Sequence, residues 1–234
     1  MKKFDFGKLI PIYLIVFMFC IVSAIFGSRA VSTLSEGAVV PNRTCIIIDA
    51  GHGGVDGGAT SCTGILESSL NLTIAVKLND LMNFMGYKTK MIRDSDISVY
   101  TEGETIAAKK VSDLKNRVKI VNDTPNSLLI SIHQNYFDQN QYKGAQVFYS
   151  NNLNDKELAE ILQNTFIQTL NLGSNRKVKN AKGIYLMENI KSPGVLIECG
   201  FLSNHQEESL LRDPDYQKKI CCVIVSSVSL FLDR

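Results

Sequence analysis

The sequence predicts an α/β domain of three layers, in which helices flank a largely parallel β-sheet. Short apolar runs typical of buried strands alternate along the chain with segments whose apolar residues follow helical spacing. The 234 residues are 45% hydrophobic and 21% charged, which is ordinary for a globular protein with one sizeable core. The chain contains no internal repeat and no low-complexity tract. We therefore expect a single domain, with an appendage at most.

The predicted elements follow one another from Cys45 to the C-terminus. Strands are predicted at 46–48, 87–92, 128–133, 144–149, 183–187 and 194–199, and helices at 70–85, around 114–121, at 158–170 and from 213 onward. Asp213 suits the N-cap of the last helix, and Pro214 suits its first turn. Ser203 and Gln206 form the pattern of a capping box, which places His205 at the start of a surface helix.

The N-terminus has the composition of a membrane or export segment. Lys2, Lys3 and Lys8 precede an uncharged apolar run from Leu9 to Phe26, and these 18 residues are just enough to span a bilayer. Ser28-Arg29-Ala30 resembles a cleavage site. Residues 1–30 are therefore predicted to be a cleaved signal peptide or, as we favour, a membrane anchor, with residues 31–44 as a linker. The basic flank places the remainder, 45–234, outside the membrane.

Charge and cysteine content exclude several classes of protein. The net charge is +2, from 25 basic and 23 acidic residues, so nothing indicates a nucleic-acid partner. The six cysteines contain no C-x-x-C, and one of them lies in the apolar N-terminal run. The spacing is neither that of a disulfide framework nor that of a zinc finger. We expect most of these cysteines to be small buried core residues.

Polar residues follow three of the predicted strands. One strand ends in Asp49-Ala50-Gly51-His52, another in His133 and a third in Glu198. Ligands of α/β sheets bind beyond the carboxyl ends of the strands, so these side chains could converge. Together with Glu67, which precedes a helix, they offer two imidazoles and carboxylates, the ligands of a catalytic zinc site. Glu198 lies in an apolar stretch, where burial would raise the pKa of its carboxyl group.

His133 and Glu67 also have ordinary structural explanations, whereas a carboxylate in an apolar stretch, such as Glu198, is harder to explain in that way. A single histidine at a strand end is more often hydrogen-bonded than metal-bound. A glutamate at a helix start, such as Glu67, commonly complements the helix dipole at the surface. His205 is best interpreted as a surface residue. The residue types and their positions alone therefore leave two alternatives, a metal site and ordinary structural roles for these side chains.

The glycine-rich segment 51–58 does not have the pattern of a nucleotide-binding loop. It lacks the Gly-Lys-Ser/Thr ending of a phosphate loop, and Asp56 stands where a dinucleotide motif requires its third glycine. No G-x-S-x-G elbow of a serine hydrolase occurs in the chain. Glycines on both sides of His52 instead give the backbone the freedom to bring an imidazole close to a metal.

Four motifs, in order and at matching spacing, resemble the zinc-dependent N-acetylmuramoyl-L-alanine amidases. They are Ile48-Asp49-Ala50-Gly51-His52-Gly53-Gly54, Glu67, Ser131-Ile132-His133-Gln134-Asn135, and Leu196-Ile197-Glu198-Cys199-Gly200-Phe201-Leu202-Ser203-Asn204. The resemblance extends from about 45 to 232 and includes Arg93-Asp94 and Asn116-Arg117-Val118. The chain departs from the family pattern at Ala50, where proline is frequent, and at 61–64.

The resemblance implies one Zn²⁺ per chain, held by His52, Glu67 and His133, with Glu198 as the catalytic carboxylate. It also implies a six-stranded sheet in a single domain. The expected reaction is hydrolysis of the amide between the muramic acid lactyl group and L-alanine of peptidoglycan. The alternatives are a zinc peptidase that cuts within the stem peptide and a wall-binding protein without activity.

The compact plan, with one N-terminal apolar segment and no wall-binding repeat, resembles the sporulation subgroup of this family. Segments 115–122 and 142–146 also resemble that subgroup. The resemblance implies action on spore cortex, as a step toward muramic-δ-lactam, with residues 9–26 at the forespore membrane. A membrane-side protein that steers or activates the enzyme is a further expectation. A vegetative amidase of wall turnover is the alternative.

Overall fold

The structure, a computed structural model, describes residues 44–150 and 155–233 together with Met18. The predicted export segment, including the run 9–26, lies outside the described residues except for Met18, as does the linker except for Thr44. The division of the chain at 30 and 44 therefore stays a prediction. Within the described part of the chain, no helix is both long and apolar enough to cross a membrane.

Six strands form one sheet. They are β1 (Cys45–Ala50), β2 (Lys88–Met91), β3 (Ser127–Asn135), β4 (Gln146–Tyr149), β5 (Lys179–Asn180) and β6 (Gly194–Phe201), in the order β2-β1-β3-β6-β4-β5. Strands β2, β1, β3 and β6 are parallel, whereas β4 is antiparallel to β6 and parallel to β5. The predicted α/β class with a largely parallel, six-stranded sheet is confirmed.

Helices cover both faces of this sheet. They are α1 (Glu67–Phe84), α2 (Ile106–Asn122), α3 (Asp155–Thr169), α4 (Tyr185–Asn189), α5 (His205–Arg212) and α6 (Pro214–Leu232). Side chains alternate along β1, so Ile46 and Ile48 join a core with α1, α3 and α6, while Ile47 joins a second core with residues of α2 and α4. These two cores produce the predicted three layers.

The predicted strand at 183–187 is wrong, because Tyr185–Asn189 forms the short helix α4. Gly183 has a φ of +86°, and its N–H donates to Glu188 Oε1 at 2.7 Å. Leu186 and Met187 then enter the second core from the helix. The sixth strand is instead the exposed pair of residues in β5. A short apolar run does not by itself distinguish a strand from a buried helix.

The N-cap of α5 is Asn204 and not the predicted Ser203. The Asn204 side chain accepts hydrogen bonds from Gln206 N at 3.0 Å and Glu207 N at 3.1 Å. Ser203 Oγ accepts from Phe137 N, which belongs to another loop. The prediction for α6 is confirmed, since the Asp213 side chain caps a helix that begins at Pro214.

Candidate metal centre

The fold places the four candidate residues near the carboxyl ends of the parallel strands. His52 directly follows Gly51 after β1, and Glu67 is the first residue of α1. His133 and Glu198 are register partners on the neighbouring strands β3 and β6. Both strands continue for two or three residues beyond these side chains, so His133 and Glu198 lie within strands and not at their ends.

His52, Glu67 and His133 form a compact cluster. Their potential ligand atoms all lie within 4.8 Å of one another. Glu67 Oε1 is 2.9 Å from His133 Nδ1, and Glu67 Oε2 is 3.3 Å from His52 Nε2. The two imidazole rings meet edge to face, with centroids 5.0 Å apart. His205, the third histidine, is exposed and contacts Cys62 Sγ instead.

The Glu67 carboxylate is held by the backbone as well as by the imidazoles. Only 4% of this residue is exposed. Oε2 accepts from Ala59 N at 2.9 Å, and Oε1 accepts from Gln134 N at 3.2 Å and from Asn71 Nδ2 at 3.3 Å. A carboxylate with this many donors cannot rotate without losing several hydrogen bonds, so its orientation is fixed before any ligand arrives.

The electrostatics of the cluster follow from this arrangement. Burial alone would raise the pKa of Glu67, but hydrogen bonds from His133 and His52 hold it well below its ordinary value. Burial alone would lower the pKa of His52, yet hydrogen bonds to Glu67 and Asp56 raise it to about 9. The carboxylate therefore stays ionised and attracts positive charge to the centre of the cluster.

Two glycines allow the side chains to approach so closely. A Cβ on Gly51 would lie 2.2 Å from atoms of the His133 ring. A Cβ on Gly58, where φ is +69°, would lie 2.6 Å from Glu67 Oε2. Real Cβ atoms do not approach other atoms this closely, so a larger residue at either position would force His133 or Glu67 to move.

Two buried arginines hold the loop that carries His52. Arg117 forms ion pairs with Asp49 and Asp113, and it donates to the His52 carbonyl oxygen at 2.7 Å. Arg93 donates to the carbonyl oxygens of Ala50 and Gly51, among others. These contacts offset the burial of two guanidinium groups and fix the backbone of the loop.

Sequence reasoning identified neither arginine as part of the site, although both lie in segments that resemble the amidase family. It also left out Asp56, which contacts His52 Nδ1 at 2.9 Å, and Lys110, which forms an ion pair with Asp56 at 2.7 Å. The segment around Lys110 is more than 50 residues from His52 in sequence. Nothing in its pattern predicts a contact with the glycine-rich loop.

Glu198 contrasts with these anchored groups. Its Oε2 atom is buried and has no hydrogen-bond partner among the described residues. Burial raises the pKa of Glu198 to about 7, with opposing contributions from His133, which lowers it, and Glu67, which raises it. Ile197 and Cys199, its neighbours in sequence, are buried but point to the other face of the sheet, so the groups that act on the Glu198 side chain are His133, Glu67 and His52 rather than the predicted apolar surroundings. Such a carboxyl group can gain and lose a proton near neutral pH.

The donor set fits a catalytic zinc ion. Two imidazole nitrogens and one carboxylate are the protein ligands of one common class of zinc hydrolase, in which a water takes the fourth position. The side chains are close enough to bind one ion together. The charges of His133, Glu67 and His52 also influence the pKa of Glu198.

Comparison with known proteins identifies the family. Residues 46–229 match the profile of the family described as N-acetylmuramoyl-L-alanine amidase. The germination-specific N-acetylmuramoyl-L-alanine amidase of Bacillus subtilis (strain 168) is 38% identical over 185 residues, covering 78% of this chain and 77% of that protein. The amidase LytC of the same organism is 30% identical over 177 residues, covering 74% of this chain and 32% of LytC.

The similarity extends to solved structures. The CwlD amidase from Clostridioides difficile, determined in complex with the GerS lipoprotein, superposes with a TM-score of 0.78 at 38% sequence identity. The match covers 82% of this chain and 99% of that one. The AmiC2 amidase of Nostoc punctiforme has a TM-score of 0.70 at 26% identity, covering 82% of this chain and 98% of AmiC2. The profile match, the relatives and the shared fold agree, and the chain belongs to the N-acetylmuramoyl-L-alanine amidase family.

Proposed function

We propose that the chain is a zinc-dependent N-acetylmuramoyl-L-alanine amidase, in which His52, Glu67 and His133 hold one Zn²⁺ and Glu198 moves protons. The substrate bond is the amide between the lactyl group of muramic acid and L-alanine of the stem peptide. The observation that carries the proposal is the convergence of three ligand-type side chains within 4.8 Å, beside a carboxyl oxygen without a partner among the described residues.

Zinc bound by these residues would polarise the scissile carbonyl and lower the pKa of a bound water. Glu198 accepts a proton from the attacking water and donates it to the leaving amine, since its pKa lies near neutrality. The imidazoles are less suited to this task, because His52 Nδ1 already contacts Asp56 and His133 Nδ1 contacts Glu67. A carboxyl group without such a contact is free to exchange protons.

Mass spectrometry of peptidoglycan fragments tests the reaction. Digestion by the zinc-loaded protein should release stem peptides with a free L-alanine N-terminus and leave muramic acid with its lactyl carboxylate. The protein treated with a chelator should leave the substrate intact. Cleavage within the stem peptide would establish the zinc peptidase alternative, and binding without any cleavage would establish a wall-binding protein.

We further propose that the substrate is spore cortex and that the activity is a step toward muramic-δ-lactam. The germination-specific name of the Bacillus subtilis relative supports this role. Deletion of the gene should leave growth and division normal but yield cortex without muramic-δ-lactam and spores that fail to germinate. Chained vegetative cells with normal cortex would instead support a role in wall turnover.

Action on peptidoglycan requires the domain to lie outside the cytoplasm, and we propose that residues 9–26 direct it there. Residues 1–30 would serve as anchor or signal, 31–44 as linker and 45–234 as the catalytic domain. Fractionation of sporulating cells with an antibody against the domain tests this arrangement. Recovery of the full-length chain in the cytosol would contradict it.

A membrane-side protein partner is the last part of the proposal. Its support is that the similar CwlD amidase was solved as a complex with a lipoprotein. Co-expression with a sporulation lipoprotein of the same cell, followed by size-exclusion chromatography, should give co-elution and higher zinc content or activity. Separate elution with unchanged activity would contradict a partner of this kind.

A further inference from the structure

The backbone and ring of His52 are fixed from several directions. His52 has a φ of +60°, a conformation that costs free energy in a residue other than glycine. Arg117 compensates by donating to the His52 carbonyl oxygen at 2.7 Å. In this conformation Nε2 faces Glu67 at 3.3 Å, while Nδ1 faces away from the cluster and contacts Asp56 Oδ2 at 2.9 Å.

Asp56 is itself held in place by three separate contacts. Its backbone exchanges two hydrogen bonds with Gly53, at 2.7 and 3.1 Å, which closes a tight turn after His52. Its Oδ1 atom accepts from Gly58 N at 3.2 Å and pairs with Lys110 Nζ at 2.7 Å. Oδ2 is thereby directed at the imidazole.

This arrangement has a consequence for the protonation of the ring. An ionised carboxylate accepts hydrogen bonds and cannot donate them, so the proton of a neutral His52 belongs on Nδ1. Nε2 then presents its lone pair to the metal. Carboxylates that contact the distal nitrogen of a metal-bound histidine orient the ring and raise its basicity.

We propose that Asp56, held by Lys110, is a positioning residue that fixes the ring orientation and the Nδ1–H tautomer of His52 for metal binding. The inference rests on the proposed zinc site and adds to it two residues from outside the ligand set. Lys110 lies on α2, so this contact joins the metal loop to a helix on the second face of the sheet.

Competition with a chromogenic chelator tests the proposal by measuring zinc affinity in the wild type and in graded variants. Asp56→Ala removes the acceptor and should weaken zinc binding about 10- to 100-fold. Asp56→Asn keeps a neutral acceptor, so its zinc affinity should lie between those of the wild type and of Asp56→Ala. Lys110→Met should cause a smaller loss, since the Lys110 side chain is 46% exposed and solvent already screens its charge.

Asp96→Asn is the matched control. Asp96 accepts from Gly54 N in the same loop at 2.9 Å but does not contact His52. Its substitution should leave zinc affinity unchanged. The thermal midpoint of each metal-free variant shows whether Asp56 merely stabilises the loop, because that role would lower the midpoint without producing the graded order of zinc affinities.

Nitrogen-15 NMR of the zinc-loaded protein gives a second measurement. A slowly exchanging Nδ1–H signal from His52 is expected in the wild type and should be lost in Asp56→Ala. Unchanged zinc affinity and an unchanged signal in Asp56→Ala would overturn the inference. A wild type that binds no zinc would overturn the proposed metal site itself, so the two failures are distinguishable.

Discussion

The two glutamates of the site, Glu67 and Glu198, have opposite hydrogen-bonding surroundings. Glu67, at the start of α1, accepts hydrogen bonds from two backbone N–H groups and the Asn71 side chain and contacts both imidazoles. Glu198, on β6, has a buried oxygen without a partner in the described parts of the chain. The pKa of the first carboxyl group is lowered, and that of the second is raised to about 7.

The difference shows how one site can contain a fixed charge and a mobile proton. A metal ligand must stay ionised and hold its direction, and hydrogen bonds from rigid backbone provide both. A proton carrier must have two protonation states of similar free energy, which the lack of donors together with burial provides. The surroundings of each glutamate thus favour a different role for the same type of side chain.

The largest expected effect comes from removing one of the histidines that contact Glu67 in the proposed zinc site. His133→Ala or His52→Ala should lose zinc and abolish activity, because two ligands cannot hold a catalytic zinc ion tightly. Elemental analysis and a peptidoglycan digestion assay measure the two outcomes. His205→Ala is the control and should retain both, since His205 is outside the cluster. Full zinc content in both ligand variants would show that the assignment is wrong.

Glu198→Gln tests the proton-transfer role of the second glutamate. The variant should fold and keep its zinc but react about 10²–10⁴-fold more slowly, the loss expected for a missing general acid–base group. Zinc content and single-turnover rates separate binding from chemistry. Loss of zinc from this variant would make Glu198 a ligand and reverse the roles of the two glutamates.

A third prediction concerns the pH dependence of stability in the metal-free protein. The pKa of His52 rises from 6.5 to about 9 on folding, so its contribution is fully present below about pH 6.5 and is lost as pH rises through 9. Unfolding by urea in the presence of a chelator should show a loss of about 1–3 kcal/mol between these pH values.

The matched control for this titration is His52→Gln, in which the slope between about pH 8 and 9 should disappear. Glu198, whose pKa is raised from 4.5 to about 7, still makes stability fall as pH rises through 7 in both proteins. The lowered pKa of Glu67 acts in a different window, because its contribution is lost only as pH falls below the ordinary range of a carboxyl group. A wild-type slope above about pH 8 that persists in His52→Gln would show that another group is responsible.

The smallest expected effect separates the cost of backbone strain from the cost of a steric clash, at two glycines with positive φ. Gly58 and Gly64 both have positive φ, of +69° and +91°, so alanine at either costs about 1–2 kcal/mol of stability. Only at Gly58 would the new Cβ meet Glu67, since no atom of the described residues lies within 4 Å of a Cβ at Gly64. Gly58→Ala should therefore weaken zinc affinity as well, whereas Gly64→Ala should not. Equal zinc affinities would contradict the tight packing of Glu67.

The sequence by itself determined the α/β class, most of the element positions and the set of residues that converge. Apolar runs such as 46–48 and 128–132 have the length and composition of buried strands, and parallel strands bring their carboxyl ends to one edge. Local signals were also sufficient at α6, where an aspartate cap and a proline define the helix start independently of tertiary contacts.

Tertiary structure alone decided the elements with weak local signals. Segment 183–187 is apolar enough for either a strand or a helix, and packing of Leu186 and Met187 into the second core selected the helix. The two residues of β5 are exposed and polar, so no hydrophobic pattern could reveal that strand. Its place depends on pairing with β4.

Tertiary structure also decided how the two glutamates differ. Both are single carboxylates in sequence. The donors around Glu67 cannot be deduced from neighbouring residues, and neither can the lack of a partner for Glu198 Oε2 among the described residues. The donor Gln134 N is 67 residues from Glu67, and Lys110 reaches the loop of His52 from α2. The sequence specifies which side chains are available, while only contacts between distant segments fix their orientation, and burial sets their protonation.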